Sequence, residues 1–417
     1  MKATELLSTL PSGWRTVPLK AACYYTVSNV DKHSIEDEIP VRLCNYTDVY
    51  KNDRVSPELE LMVATATEDE IEKFHLEVGD VVITKDSESW DDIGIPAYVE
   101  ATAEDFICGY HLAFMRPNSG LLEGRFLFRC VQSRPVALQL ELEATGVTRY
   151  GLPKGAIGNA LIPLPSLETQ RLIADYLDRE TARIDALVAE KEKMLALLEE
   201  KRAALISSAV TRGLDPNAPL KPSGLDWLGD IPAHWDVLPL RWFMRIGSGE
   251  FLSNESISKD ETEELLIPVV GGNGVLGYTS QANTENALVI GRVGAQCGNV
   301  HFVDGPLWVT DNALLVKITS RFEPRYLREV LHLMELNTLA NQSAQPLITG
   351  EMVKNQKVPS PPMLEQSEIL QLLKEALGEY VNLLKEVERS LRLLKERRAA
   401  LITAAVTGQI PVEEMAA

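Results

Sequence analysis

Five cysteines stand at positions 23, 44, 108, 130 and 297, an odd number with wide spacing and no C-x-x-C pair. That excludes a zinc ribbon and a disulfide framework, and points to a reducing, cytoplasmic home. Six histidines are scattered without metal-ligand spacing, and neither a P-loop nor an H-E-x-x-H run is present. No apolar run approaches the ~18 residues of a membrane span. The opening residues, MKATELLSTLPSGW, lack the apolar stretch of a secretion signal. Basic residues are also short in number: 41 Lys and Arg stand against 60 Asp and Glu, a net charge of −19. Charge of that sign disfavours indiscriminate binding of nucleic acid.

The deficit is uneven. Residues 31–105 hold 6 basic and 21 acidic residues, whereas 106–162 hold 6 and 3. The pattern recurs with 4 and 11 in 214–285 and 7 and 6 in 286–361. A locally positive face is therefore expected from the later part of each block. With 417 residues, of which 45% are hydrophobic and 24% charged, the chain has the composition of a folded protein of two to four domains.

What is present in quantity is repetition. Pro11–Lys20 (PSGWRTVPLK) matches Pro232–Arg241 (PAHWDVLPLR) at an offset of 221. Lys201–Thr211 (KRAALISSAVT) matches Arg397–Thr407 (RRAALITAAVT) at an offset of 196, which also aligns Pro163 with Pro359, Pro165 with Pro361 and Gln170 with Gln366. The unit of about 200 residues is too long for a solenoid of ~20–50-residue repeats. It reads as a module of two parts, used twice. The expected parts are a variable globule at 1–162, a helical region at 163–213, a second variable globule at 214–361 and a second helical region at 362–411.

In the helical regions, Ile173, Leu177, Ile184, Leu187, Met194, Leu198 and Leu205 recur at heptad-like spacings. Ile369, Leu373, Tyr380, Leu383, Leu394 and Leu401 take corresponding places. Some 40 residues at ~1.5 Å each predict a rod of about 60 Å. An amphipathic rod must bury its stripe, and its own repeat copy is the simplest partner, packed antiparallel. Helices that merely dimerise the protein are the plainer alternative. In the globules, Val78–Thr84 and Ala287–Ile290 predict equivalent strands, followed by Ile95–Val99 and Asn299–Val303, then Leu112–Met115 and Ala313–Val316. The fold class expected is α+β: two α/β, largely β globules joined by two long antiparallel coiled-coil helices with pseudo-two-fold internal symmetry.

Two motifs imitate active sites. Gly272–Gly277 (GNGVLG) fits G-x-G-x-x-G, but turn-like residues follow where a dinucleotide site needs a helix. Ser360–Met363 (SPPM) lacks the aromatic ring that would stack on a flipped base. No set of acid, base and nucleophile emerges, so neither catalysis nor a metal or cofactor site is assigned to this chain.

Taken together, Gly224–Trp235 (GLDWLGDIPAHW), Gly79–Lys85 (GDVVITK), Pro268–Tyr278 (PVVGGNGVLGY) and the Pro- and Gln-bearing openings of both long helices carry a resemblance over essentially the whole length. The chain resembles the DNA-specificity subunit of type I restriction–modification enzymes. The resemblance implies two target-recognition domains that each read half of a split site on double-stranded DNA. It also implies helical regions that dock two methyltransferase subunits, with S-adenosylmethionine on those subunits and ATP and Mg with the restriction/translocase subunits. The candidate DNA-binding residues are Lys85 and Arg292, just past equivalent strands; Arg149, Tyr150 and Lys154 in a Gly-containing loop; Gln345 in the equivalent region of the second copy; and Asn273 and Tyr278 in the Gly-rich loop. Arg and Lys suit guanine edges, and Asn and Gln suit adenine edges. The plainer reading of each is a solvated loop residue. Leu187 and Leu383 mark the helices expected to bind the methyltransferase subunits. A coiled-coil scaffold with no DNA role and a self-sufficient methyltransferase or nuclease are the competing readings.

Overall fold

The computed structural model describes residue 7, residues 10–340 and residues 346–416. The chain divides into two compact units, Met1–Glu192 with Arg389–Ala417, and Lys193–Glu388. The division cuts through both long helices, Leu167–Arg212 and Met363–Val406, so each unit contains a globule and a half of each helix.

In the first unit, a five-stranded sheet runs in the order Cys23–Val27, Leu112–Pro117, Val81–Thr84, Pro96–Val99 and Arg54–Val55. Val81, Val82 and Ile83 are all buried because both faces of that central strand are covered. One face packs on the helices Gly124–Gln132 and Arg134–Glu143, in a core that includes Phe126, Leu127, Val131 and Leu140. The other face encloses a second core with the sheet Met62–Ala66, Ile39–Cys44 and Phe106–Cys108. The second unit keeps the first four strands of the plan: Met244–Ser248, Ala313–Ile318, Thr284–Gly291 and Val300–Val309, extended by the hairpin Ile267–Gly271 and Gly274–Thr279. The expected strands thus fall on adjacent positions in both copies. The G-x-G-x-x-G run forms that hairpin's turn and second strand, and no helix follows it.

Equivalent polar contacts repeat with the sequence. Gln170, fully buried, donates to the carbonyls of Leu121 and Pro165 at 3.0 and 2.9 Å and accepts from the Glu123 N–H at 2.9 Å. Gln366 does the same with Arg321, Pro361 and Glu323 at 2.9, 2.9 and 2.8 Å. Each glutamine thus ties the start of a long helix to the N-cap of the helix above the sheet, Glu123 or Glu323.

Each core closes on the end of a long helix. In the first unit, Ile402, Ala405, Val406 and Met415 join Ile173 and Leu177 in the main core, and Trp14 packs against it. In the second, Ala209 and Val210 join Ile369, Leu373 and the fully buried Trp235. The two tryptophans are core anchors, as their repeat positions suggest.

One expectation about the helices is corrected. Ile173, Leu177, Ile184 and Leu198 are buried, but Leu187, Met194 and Leu383 are 48%, 44% and 47% exposed. Burial instead follows Leu177, Thr181, Ile184, Val188, Lys191, Leu195, Leu198 and Arg202 in alternating steps of four and three, and Leu384 takes the place of Leu383. Polar Thr181 and Arg202 occupy seam positions, so the leucines beside the seam imitate it in the sequence.

Candidate nucleic-acid interface

Lys85 emerges from the strand Val81–Thr84 into a junction of three short strands, Thr145–Gly146, Tyr150–Gly151 and Asp86–Ser87. Its N–H donates to the His111 carbonyl at 2.8 Å, and its carbonyl accepts from the Leu152 N–H at 2.8 Å. The half-buried ammonium sits 3.3 Å from the Asp86 carboxylate and 5.4 Å from the centre of the Tyr110 ring. Asp86 also accepts from His111 Nδ1 at 2.6 Å. With that nitrogen donating, Nε2 is left to accept from Arg149 Nη2 at 3.3 Å. His111 holds φ +71°, a left-handed conformation that turns its ring into this cluster. The structure therefore brings Lys85, Arg149 and Tyr150 together, with Tyr150 paired across the strands to Ser87. Lys154 opens the short helix Lys154–Asn159, with its exposed ammonium 5.6 Å from the Tyr25 ring.

Four members of this area were not singled out from the sequence: Asp86, Tyr110, His111 and Trp90. Tyr110 and Trp90 are 41% and 45% exposed. Trp90 stands in the acidic run Asp86–Asp92, where a lone large aromatic on a loop was the available signal.

In the second unit, Arg292 follows the strand Thr284–Gly291 and is held in the same way. Its N–H donates to the Asn312 carbonyl at 3.2 Å, and its carbonyl accepts from the Ile348 N–H at 2.9 Å. Its Nη1 donates to Ser248 Oγ at 2.9 Å, beside a cavity of about 260 Å³ lined by Gly247, Thr349, Gly350 and Lys354. Asn273 is exposed at the hairpin turn, which needs Gly274 at φ +89°. Gly272 lies against Gly291, where a Cβ would stand 3.1 Å from the Gly291 Cα. The turn bearing Asn273 is thereby placed beside Arg292. Tyr278 lies toward the far end of the hairpin, its backbone exchanging hydrogen bonds of 2.8 and 2.9 Å with Ser258. Gln345 lies outside the described residues.

The expected positive faces are smaller than the charge count suggests. Arg116 is spent on Asp80 and Glu77, Arg125 on Asp175 and Asp178, Arg129 on Asp178, and Arg134 on Glu141. In the second unit Arg321, Arg325, Arg328 and Lys354 are likewise paired with Asp236, Asp304, Glu329 and Glu351. Among the described residues, Arg149, Lys154 and Arg292 carry no ion pair with a carboxylate. Lys317 and Lys357, both exposed, likewise carry none, so in these two regions five described cations are left without a carboxylate, and three of them are candidates for touching DNA.

Known proteins share this architecture. The family model for the type I restriction modification DNA specificity domain matches twice, at residues 39–196 and 234–389. The chain is 30% identical over 147 residues to the type I restriction enzyme EcoprrI specificity subunit of Escherichia coli, a match covering 35% of this chain and 36% of that protein. A putative type I restriction enzyme MjaX specificity subunit of Methanocaldococcus jannaschii is 23% identical over 83% of this chain and 82% of its own length. Among solved structures, a chain from a type I R-M system described for its assembly and conformational transition matches with a TM-score of 0.71 at 18% identity, covering 96% of this chain and all of that one. The HsdS subunit from Thermoanaerobacter tengcongensis matches with a TM-score of 0.50 at 19% identity, covering 96% and 98%. With two domain matches spanning well over half its length, the chain belongs to the family of type I restriction–modification DNA-specificity subunits.

Proposed function

We propose that each globule reads one segment of a split, non-palindromic site on double-stranded DNA. The single observation that carries this reading is the pairing of Lys85 with Arg292. Both are fixed by the same two backbone hydrogen bonds at the end of the same strand, yet different loops surround them. A common frame with divergent loops is what two readers of different sequences require. Specificity at base edges then comes from Lys85, Arg149, Asn273 and Arg292, and positioning on phosphates from the remaining cations. Same-face readout of two major-groove segments calls for centres about one helical turn, ~34 Å, apart.

Catalysis resides in partner subunits on this reading. Two methyltransferase subunits, using S-adenosylmethionine to modify adenine, dock on the long helices. ATP- and Mg-dependent restriction/translocase subunits join the assembly, which works in the cytoplasm. Leu187 and Leu383 support the docking sites, because they are equivalent in the repeat and similarly exposed, at 48% and 47%. Leu197 and Leu393 form a second such pair at 49% and 51%. Large apolar side chains exposed twice at matching places mark a surface used twice.

The test is to co-express the chain with its neighbouring methyltransferase gene and map methylated adenines in the host DNA. One bipartite motif with two unlike halves is the expected result. Unmodified DNA, or a palindromic motif, overturns the reading.

A further inference from the structure

In the second unit, Asp311 and Asn312 form the turn between the strands Val300–Val309 and Ala313–Ile318, closed by a hydrogen bond of 3.0 Å from the Ala313 N–H to the Thr310 carbonyl. Arg292 donates its N–H to the Asn312 carbonyl, so this turn and the reading cation share one end of the sheet. Asp311 is exposed, and its carboxylate enters neither a hydrogen bond nor an ion pair among the described residues. Arg292 is equally without a carboxylate, although an acid adjoins its backbone partner. Its guanidinium is held instead by Ser248, whose Oγ accepts from Nη1 at 2.9 Å. An anion and a cation thus stand at the same end of the sheet without neutralising each other.

The first unit fills the same frame differently. Its Gly109 N–H donates to the Cys44 carbonyl as the Thr310 N–H donates to the Val270 carbonyl, at 2.8 and 3.0 Å. Tyr110 therefore corresponds to Asp311, and His111 to Asn312. The acid there is Asp86, and it is spent on Lys85 and His111. Tyr110 presents an exposed ring where the second unit presents a carboxylate.

A carboxylate at a DNA-facing turn repels phosphate, so it favours binding only where it meets a hydrogen-bond donor. In the major groove a G·C pair presents two adjacent acceptors on guanine, N7 and O6, and then the N4 amino donor of cytosine. An A·T pair places its donor between two acceptors. The fork of a guanidinium needs the adjacent acceptors, and a carboxylate beside it needs the donor that follows. We propose that Arg292 and Asp311 together read one G·C pair, Arg292 on guanine and Asp311 on cytosine. The proposal rests on the DNA-reading role of the second globule and names the base pair that it recognises.

The test maps methylated adenines in cells that express the full chain with its neighbouring methyltransferase gene. The chains compared are the unaltered one, Arg292→Ala, Asp311→Ala and Asp311→Asn. The unaltered chain should methylate a bipartite motif with a fixed G·C pair in one half. Arg292→Ala and Asp311→Ala should each cut discrimination about tenfold at that pair and leave the other half unchanged. Asp311→Asn should admit adenine in the place of cytosine, because asparagine suits adenine edges. Asp311 is exposed, so its substitutions leave the core intact. Four results overturn the proposal while the globule remains a DNA reader: an unchanged motif in Asp311→Ala, weakening or loss across all sites alike, relaxation at a position that Arg292→Ala does not affect, or relaxation at a pair other than G·C. Unmodified DNA from the unaltered chain overturns the DNA-reading role, and this inference with it.

Discussion

Lys85 and Arg292 occupy one structural position in two copies: each donates its N–H across to the strand Leu112–Pro117 or Ala313–Ile318 side of its sheet, through His111 or Asn312, and each accepts from the segment leading to a long helix, through Leu152 or Ile348. Their side chains diverge. Lys85 lies against Asp86 and Tyr110, and Arg292 against Ser248. Lys85→Ala should cost about 1–3 kcal/mol in DNA affinity and relax one position of one half-site, and Arg292→Ala should do the same in the other half. Methylation profiling reads both. A change of base preference in both halves from either substitution contradicts two independent readers, since distant sites behave additively. Uniform weakening with a flatter salt dependence would instead assign that side chain to phosphate.

Leu187→Asp with Leu383→Asp should abolish assembly with the methyltransferase subunits and leave the fold intact. Both side chains are about half exposed beside the helical seam, so no charge is buried by the change. Size-exclusion chromatography checks assembly, and circular dichroism checks the fold. An intact complex would remove these leucines from the docking surface.

Asp178→Asn should destabilise the first unit by about 3–5 kcal/mol. Arg129, only 4% exposed, donates to Asp178 at 2.8 Å and to Thr181 at 3.0 Å. Burial pushes its guanidinium pKa down, opposed chiefly by the hydrogen bond to Asp178. Without the acid, a buried cation remains. Urea denaturation measures the loss, and the paired change Arg129→Met with Asp178→Leu should recover most of it.

The thiols predict an alkaline limit to stability. Burial pushes Cys23 up to about 12 and raises Cys44, Cys108, Cys130 and Cys297 as well. An unfolded thiol ionises near ~8.5. Above that pH the folded chain holds more protons than the unfolded one, so this contribution is complete below ~8.5 and declines as pH rises toward 12. The urea midpoint should fall between pH 8 and 10. At pH 8 iodoacetamide should spare the native cysteines and modify all five in urea. Rapid native labelling would show the cores open.

Much of the architecture was legible because the gene repeats itself. Gln170 and Gln366 surfaced from one offset, and their matching hydrogen bonds explain why a polar residue recurs in a buried place. The strands were readable from apolar runs such as Val81–Ile83, which a doubly covered sheet demands. The helical seam was misread by one position at Leu187 and Leu383, because leucines line both its buried and exposed sides, and periodicity alone does not distinguish adjacent stripes. The cluster around Lys85 was half visible. Arg149 and Tyr150 stood out as loop residues, but His111 and Asp86 join them only through a left-handed turn and pairings between distant strands.

The closing of the first core by Ile402, Val406 and Met415 sets the order in which a newly made chain can finish folding. Residues 193–388 form an uninterrupted unit, complete in itself once translated. The N-terminal globule emerges earlier but lacks one wall until residues 402–415 have been made. At roughly 5–20 residues per second, that wait lasts about 10–45 seconds after Glu192 is made. The usual N-terminal-first order is reversed, and the earliest-made apolar surfaces stay exposed longest, so aggregation during synthesis falls on the first globule.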